Sequence, residues 1–290
     1  MKKMIFLIFF LLVSSGVKAR KVVLISDIDD TLKRTHVLGY FTGGPYTDNP
    51  YIGLPELFMA FMCSGIENST RRQFCFANRA YFHATNRKMK YVTAAYGWFS
   101  NFGRSFIKDS NFPRGSYIFK PDGDILTFDF KVDAITKIIK WLPEEVDIIM
   151  VGDNGQVDAK AYFEIERRFK TEKRRFFTYI HQVYSYAPDA DEIGVPVLSG
   201  QGRYLTSFEL ALEFYSHGWI KRDDLVTVSA IVINHLSSND DDIYEKVLPD
   251  WTDCSQFVLE YTRPQISLDS LLLERAQWLE NKFSKMCLAQ

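Results

Sequence analysis

The sequence predicts an α/β fold: a parallel sheet flanked by helices, with a small inserted segment after the first strand and a helical C-terminal extension. Three observations carry this. Apolar runs at 21–26 and 147–152 each end in an acidic, turn-forming segment. Further apolar runs near 90–94, 116–119 and 174–182 alternate with stretches of helical spacing, the order that a parallel sheet with crossover helices requires. The 290 residues, 47% of them hydrophobic, suffice to bury a core on both faces of such a sheet.

In chain order, Lys2 and Lys3 precede ten apolar residues, Met4 to Val13, then Ser14-Ser15-Gly16-Val17-Lys18-Ala19. A basic start, an apolar stretch too short for a span of about 20 residues, and small residues at Val17 and Ala19 describe a secretory signal peptide, residues 1–19. The mature chain is expected to begin at Arg20, with no transmembrane anchor, in the periplasm or outside the cell. Loss of Lys2, Lys3 and Lys18 would leave 32 basic against 36 acidic residues, a formal charge of −4. That mild acidity excludes nucleic acid as the expected partner, because phosphate backbones demand a basic surface.

Val22-Val23-Leu24-Ile25-Ser26 then runs into Asp27-Ile28-Asp29-Asp30-Thr31. Residues just past the carboxyl end of a buried parallel strand enter the crevice where ligands sit. Two carboxylates spaced i, i+2 there repel each other, which points to a bound cation or a shared proton. A polar strand end capping the next element is the plainer alternative. A helix is expected within 55–63, and about residues 64–88 read as an insertion (Asn68 to Lys88 in its narrower form). Asn68-Ser69-Thr70 is a glycosylation sequon.

The run Lys90 to Ala94 is a strand ending beside a hydroxyl donor, Thr93. Tyr96, Trp98, Phe99 and Phe102 follow, candidates either for gripping an apolar substrate or for packing a short helix. Lys131 opens a stretch whose apolar positions 132, 135, 138 and 139 have helical spacing. A lysine at a helix start opposes the helix dipole, so an anion nearby would explain it. Asp147 to Asp158 repeats the first strand's pattern: an apolar run, Gly152 for the turn, Asp153, and Asp158 one turn later. Past Gly200, Thr206-Ser207-Phe208-Glu209 is a capping box for a helix to about Ser216, ended by Gly218. A last helix from Ser267 carries Leu268, Leu272, Ala276, Leu279 and Phe283 on one face, read as core packing.

Four cysteines in an exported chain read as candidate disulfides, with Cys63–Cys75 stapling the insertion and Cys254–Cys287 pinning the last helix as one pairing. His36, His83, His181, His217 and His235 show no metal or triad spacing, and Asp240 to Asp242 lack a calcium-loop pattern.

The ordered set Asp-x-Asp-x-Thr, strand-end hydroxyl, lysine and Gly-Asp-x-x-x-x-Asp resembles the haloacid dehalogenase superfamily of phosphatases. More narrowly, Ser26 to Lys33, Tyr91 to Trp98, Phe112-Pro113-Arg114-Gly115 and Gly152 to Asp158 resemble the catalytic domain of the actin-patch-protein type phosphatidate phosphatases. The resemblance covers about 21–185 and implies a Rossmannoid phosphatase core (20–185) with residues 186–290 as an extension packed on it. It implies an aspartyl-phosphate mechanism with Asp27 as nucleophile and Asp29 as acid and base. Mg²⁺ would sit on Asp27, the main-chain carbonyl of Asp29 and Asp153, with Asp158 an alternative ligand or a group behind them. Thr31, Thr93 and Lys131 would bind the substrate phosphate.

The chain departs from that family in carrying Thr93 for Ser and Ala95-Tyr96-Gly97 for Ser-Pro. Substrate choice is therefore expected to depend on the loop after Thr93 and on the insertion. The implied substrate is a phosphate ester, with a phosphatidate-like phospholipid first. A small soluble phosphate ester comes second. A noncatalytic phosphate-binding interaction module comes last, because every expected catalytic position is filled.

Overall fold

The computed structural model describes residues 20–39, 47–79, 86–238, 247–248, 252 and 268–287. The signal-peptide segment 1–19, His83, Asp240 to Asp242, Cys254, Ser267 and the side chain of Cys287 lie outside the described residues.

Six parallel strands form one sheet in the order β3-β2-β1-β4-β5-β6. They are β1 (Lys21–Ser26), β2 (Arg87–Tyr96), β3 (Ser116–Lys120), β4 (Val146–Asp153), β5 (Arg174–His181) and β6 (Gly202–Tyr204). The fold is the α/β, Rossmann-like parallel sheet that the sequence predicts. From β1 the chain steps outward to β2 and β3, then crosses back to place β4 on the other side of β1. The strand order therefore reverses between β1 and β4, the position where open α/β sheets form their ligand crevice. Ser26, the last residue of β1, is level with Tyr91 of β2 and Val151 of β4, so β1 ends between two strands that run on past it.

Side chains alternate across the sheet. Val22 and Leu24 belong to the apolar cluster on the face covered by α1 (Leu54–Cys63), α3 (Ser100–Asp109), α6 (Ser207–Ser216) and α7 (Arg222–Leu236), with α8 (Ser270–Cys287) packed on α7. Val23 and Ile25 pack against α4 (Thr127–Lys140) and α5 (Asp158–Phe169). Both faces are covered, which is why the central strands read as unbroken apolar runs rather than as alternation. Asp147, buried at the amino end of β4, is held by Arg175 at 2.8 Å and Arg20 at 2.9 Å, far from the crevice.

The stripe on α8 is core: Leu272, Ala276, Leu279 and Phe283 are buried. Gly218 ends α6 with φ 69°, a conformation that costs glycine little. β6 and α7 are among the elements that go unpredicted. The three-residue β6 is too short to leave a pattern, whereas α7 carries one, Leu225, Val228, Val232 and Leu236 at helical spacing. β2 also starts earlier than its apolar run, because the Arg87 side chain bonds to the carbonyls of Phe61 and Trp219 and to Ser64 Oγ.

The segment expected as an insertion contains α2 (Ser69–Ala77), capped by Asn68, whose Oδ1 accepts from the Arg71 N–H at 2.9 Å. A Cys63–Cys75 disulfide ties it to α1, and Arg72 pairs with Asp224 at the start of α7.

Glu209 fills its half of the expected capping box, accepting from the backbone N–H groups of Thr206 at 2.7 Å and Leu205 at 2.9 Å. Desolvation outweighs those bonds and pushes its pKa from 4.5 up to about 7. The folded value lies above the unfolded one, so this group's contribution is fully present below about pH 4.5 and is lost as pH rises through about 7. Glu209→Gln keeps an acceptor but does not titrate. Its stability relative to wild type, read from melting temperatures, should therefore rise between pH 4.5 and 8, by an amount on the order of a few kcal/mol. Parallel pH profiles for the two proteins would refute this.

Candidate active site

The crevice at the carboxyl ends of β1, β2 and β4 opens into a cavity of about 610 Å³. Asp27, Asp29, Thr93, Lys131 and Asp153 all line it, so residues spread over 127 positions of sequence meet at one place. Asp27 leaves β1 with its N–H still donating to Val151 O of β4 at 3.0 Å, which fixes its backbone before the chain turns away. Its side chain is buried, and Oδ1 has no hydrogen bond, although Lys131 Nζ stands 3.2 Å from it.

Lys131 lies one turn inside α4, not at its start, and is buried. Its Nζ also pairs with Asp158, the first residue of α5. Burial opposes its charge, but Asp158, Asp27 and Asp153 outweigh it and push its pKa up, so the ammonium stays charged.

Asp153 ends β4. Its Oδ1 accepts from Gly155 N at 2.7 Å, its Oδ2 from Thr31 Oγ1 at 3.1 Å, and its own N–H donates to Asp158 Oδ2 at 3.3 Å. Gly152 permits that approach: a Cβ there would fall 2.5 Å from Asp158 Oδ2. Carboxylate oxygens of Asp27, Asp153 and Asp158 lie within 4.8 Å of one another. Burial, and then neighbouring carboxylates, push Asp27 and Asp153 well above the usual carboxylate range, with Lys131 opposing. One ammonium does not balance three buried acids. The cluster, all hard oxygen donors with an unbonded Asp27 Oδ1, could hold a cation such as Mg²⁺.

Asp29 is only half buried and faces the cavity between two hydroxyls. Thr35 Oγ1 donates to its Oδ1 at 2.9 Å and Thr93 Oγ1 to its Oδ2 at 3.2 Å. Thr93 Oγ1 in turn accepts from Ala95 N at 3.2 Å, where β2 slips register against β3. Thr31 and Asp158 do not line the cavity; Thr31 is fully buried behind Asp153.

Sequence reasoning passes over the groups that shape the loop. Asp30 sits at φ 56° and is fully buried. Its carboxylate accepts from His36 N at 2.6 Å, Val37 N at 2.8 Å and Tyr184 OH at 2.5 Å. Desolvation raises its pKa to about 6 against those bonds. Asn154 anchors the segment after β5, accepting from Val183 N at 2.8 Å and Tyr184 N at 2.9 Å. The doubled acid Asp29-Asp30 is the only signal of the first. Among the described residues, the insertion contributes nothing to the cavity wall, contrary to expectation. Lys33, Thr35, Val37 and Asp48 supply that wall, with Lys33 Nζ 2.6 Å from Asp48 Oδ1. The disulfide and Arg72 hold α2 against α1 and α7 instead.

Tyr96, Phe99 and Phe102 line the opposite wall and remain exposed, as does Trp98 beside them. No described helix is long and apolar enough to cross a membrane. Searches of curated proteins and of solved structures return no match. Residues 22–177, more than half of the chain, match the family described as phosphatidate phosphatase APP1, catalytic domain. That match spans the strands bearing Asp27, Thr93 and Asp153 and the helices bearing Lys131 and Asp158, and the chain belongs to this family of phosphatidate phosphatase-type enzymes.

Proposed function

We propose that the protein is an exported, Mg²⁺-dependent phosphatase that removes phosphate from phosphatidate through an aspartyl-phosphate on Asp27. The observation that carries this reading is the convergence of Asp27, Asp29, Thr93, Lys131 and Asp153 on one cavity with an apolar wall. An Asp27 carboxylate oxygen attacks phosphorus as the bond to the leaving lipid alkoxide breaks. Asp29 gives that alkoxide its proton, then takes one from the water that hydrolyses the acyl phosphate and regenerates Asp27. Thr93 and Lys131 hold the phosphoryl oxygens, and the buried ammonium offsets charge as it spreads. Thr31 orients Asp153 rather than touching substrate, as its bond to Asp153 Oδ2 suggests. Mg²⁺ bound by Asp27 and Asp153, with Asp158 behind them, would neutralise the phosphate and the clustered carboxylates.

Export is supported by the N-terminal pattern and by the Cys63–Cys75 disulfide. A substrate panel with Mg²⁺, spanning phosphatidate in mixed micelles and soluble sugar, nucleoside and aryl phosphates, tests the function. Phosphatidate should exceed every soluble ester in kcat/KM by at least about ten-fold, the equivalent of one well-buried apolar contact set. The reverse order would assign the enzyme to small soluble esters instead.

A further inference from the structure

We infer that the aromatic ridge Tyr96-Trp98-Phe99-Phe102 is a surface that docks on a phospholipid bilayer and delivers substrate sideways into the cavity. The ridge is built where β2 ends, in the turn 97–99 and the first turn of α3. Trp98 and Phe102 are 65% and 68% exposed, and Tyr96 and Phe99 more than a third. The rings form one chain of contacts: Tyr96 to Trp98 at 6.5 Å, Trp98 to Phe99 at 3.6 Å, Phe99 to Phe102 at 6.1 Å. α3 buries Phe106 and Ile107 in the core, whereas Phe102, one turn earlier on the same face as Phe106, stays exposed at the mouth of the cavity. A run of contiguous exposed aromatics is an interaction surface, and Trp and Tyr are the residues that favour the bilayer interface.

Charge and position decide the occupant. Arg104 and Lys108 are exposed on the same helix as Phe102, so α3 carries cations of the kind that lipid phosphates attract. Three ridge residues also line the cavity, so a protein partner or second copy seated on them would close the active site. A bilayer instead carries the substrate to the mouth. The inference rests on the proposed phosphatidate activity, which places the substrate in the bilayer and sets the choice of lipid.

The test is flotation of the full-length Asp27→Asn protein, which leaves the lipid intact, with vesicles of phosphatidylcholine and phosphatidate. Trp98→Ser is added in one arm and Trp98→Phe in another; all share one N-terminus, so its contribution cancels. Trp98 does not line the cavity and is largely exposed, and equal melting temperatures would verify folding. Trp98→Ser should weaken vesicle partition about ten-fold, as loss of one inserted aromatic requires, and Trp98→Phe should restore most of it. Equal flotation of Trp98→Ser and its parent would overturn the inference. So would a Trp98-dependent dimer without vesicle binding, seen by sedimentation. Flotation is read whether or not phosphatidate is hydrolysed. Binding without hydrolysis therefore sinks the substrate assignment alone, and hydrolysis of dispersed phosphatidate without binding sinks the docking surface alone.

Discussion

Asp27→Asn is expected to reduce phosphate release by at least about three orders of magnitude on any substrate, while leaving the fold as stable as wild type or more so. The amide keeps the shape of the side chain but can neither attack phosphorus nor offer an anionic ligand. The loss should fall on kcat, since removing the nucleophile removes the step. Stability should not suffer, because relief of repulsion among the buried carboxylates offsets the lost Asp27–Lys131 ion pair, and Lys131 keeps its pairing with Asp158. The sign follows from linkage. Burial first, then Asp158 and Asp29, raise the Asp27 pKa in the folded chain, so its ionised form at neutral pH opposes folding. Metal-free melting at neutral pH checks this half, and single-turnover kinetics the other. Retention of more than a few per cent of activity in a clean preparation would remove Asp27 as nucleophile. A melting temperature several degrees lower would mean that the carboxylate supports the structure.

Chelation should abolish activity, and Mg²⁺ should restore it where Zn²⁺ does not. The buried acids Asp27, Asp153 and Asp158 are all oxygen donors, and no His or Cys joins that cluster among the described residues. Binding should also be visible without turnover. A cation that relieves repulsion among these carboxylates binds the folded state selectively, so the melting temperature should climb with Mg²⁺ concentration. Asp153→Asn should blunt that climb. An enzyme indifferent to EDTA, or a melting temperature unmoved by Mg²⁺ in wild type, would refute the metal assignment.

β1, β4 and β5 are legible because Val, Ile and Phe runs can bury on both faces only in a covered parallel sheet. The crevice chemistry is legible for the same reason: a carboxylate placed directly after such a run has nowhere to go but the carboxyl end of the sheet. Asp27, Asp153 and Lys131 needed only strand ends and a helix start to be singled out. Thr31 shows the limit. Its place in the motif suggested substrate, whereas its hydroxyl bonds Asp153, 122 residues away. Asp30 is similar, since its role depends on Tyr184, 154 residues on.

The sequence alone therefore determined the sheet and singled out the carboxylates and lysine of the crevice, because these follow from local periodicity or from residues spaced within one turn, and its ordered motifs carry the resemblance to the family. Tertiary structure alone decided which surfaces those groups face. It turned Thr31 inward, assigned the cavity wall among the described residues to Lys33, Thr35, Val37 and Asp48 rather than to the insertion, and left Trp98 and Phe102 exposed. Those outcomes depend on which distant backbone approaches a side chain, and no local pattern encodes that distance.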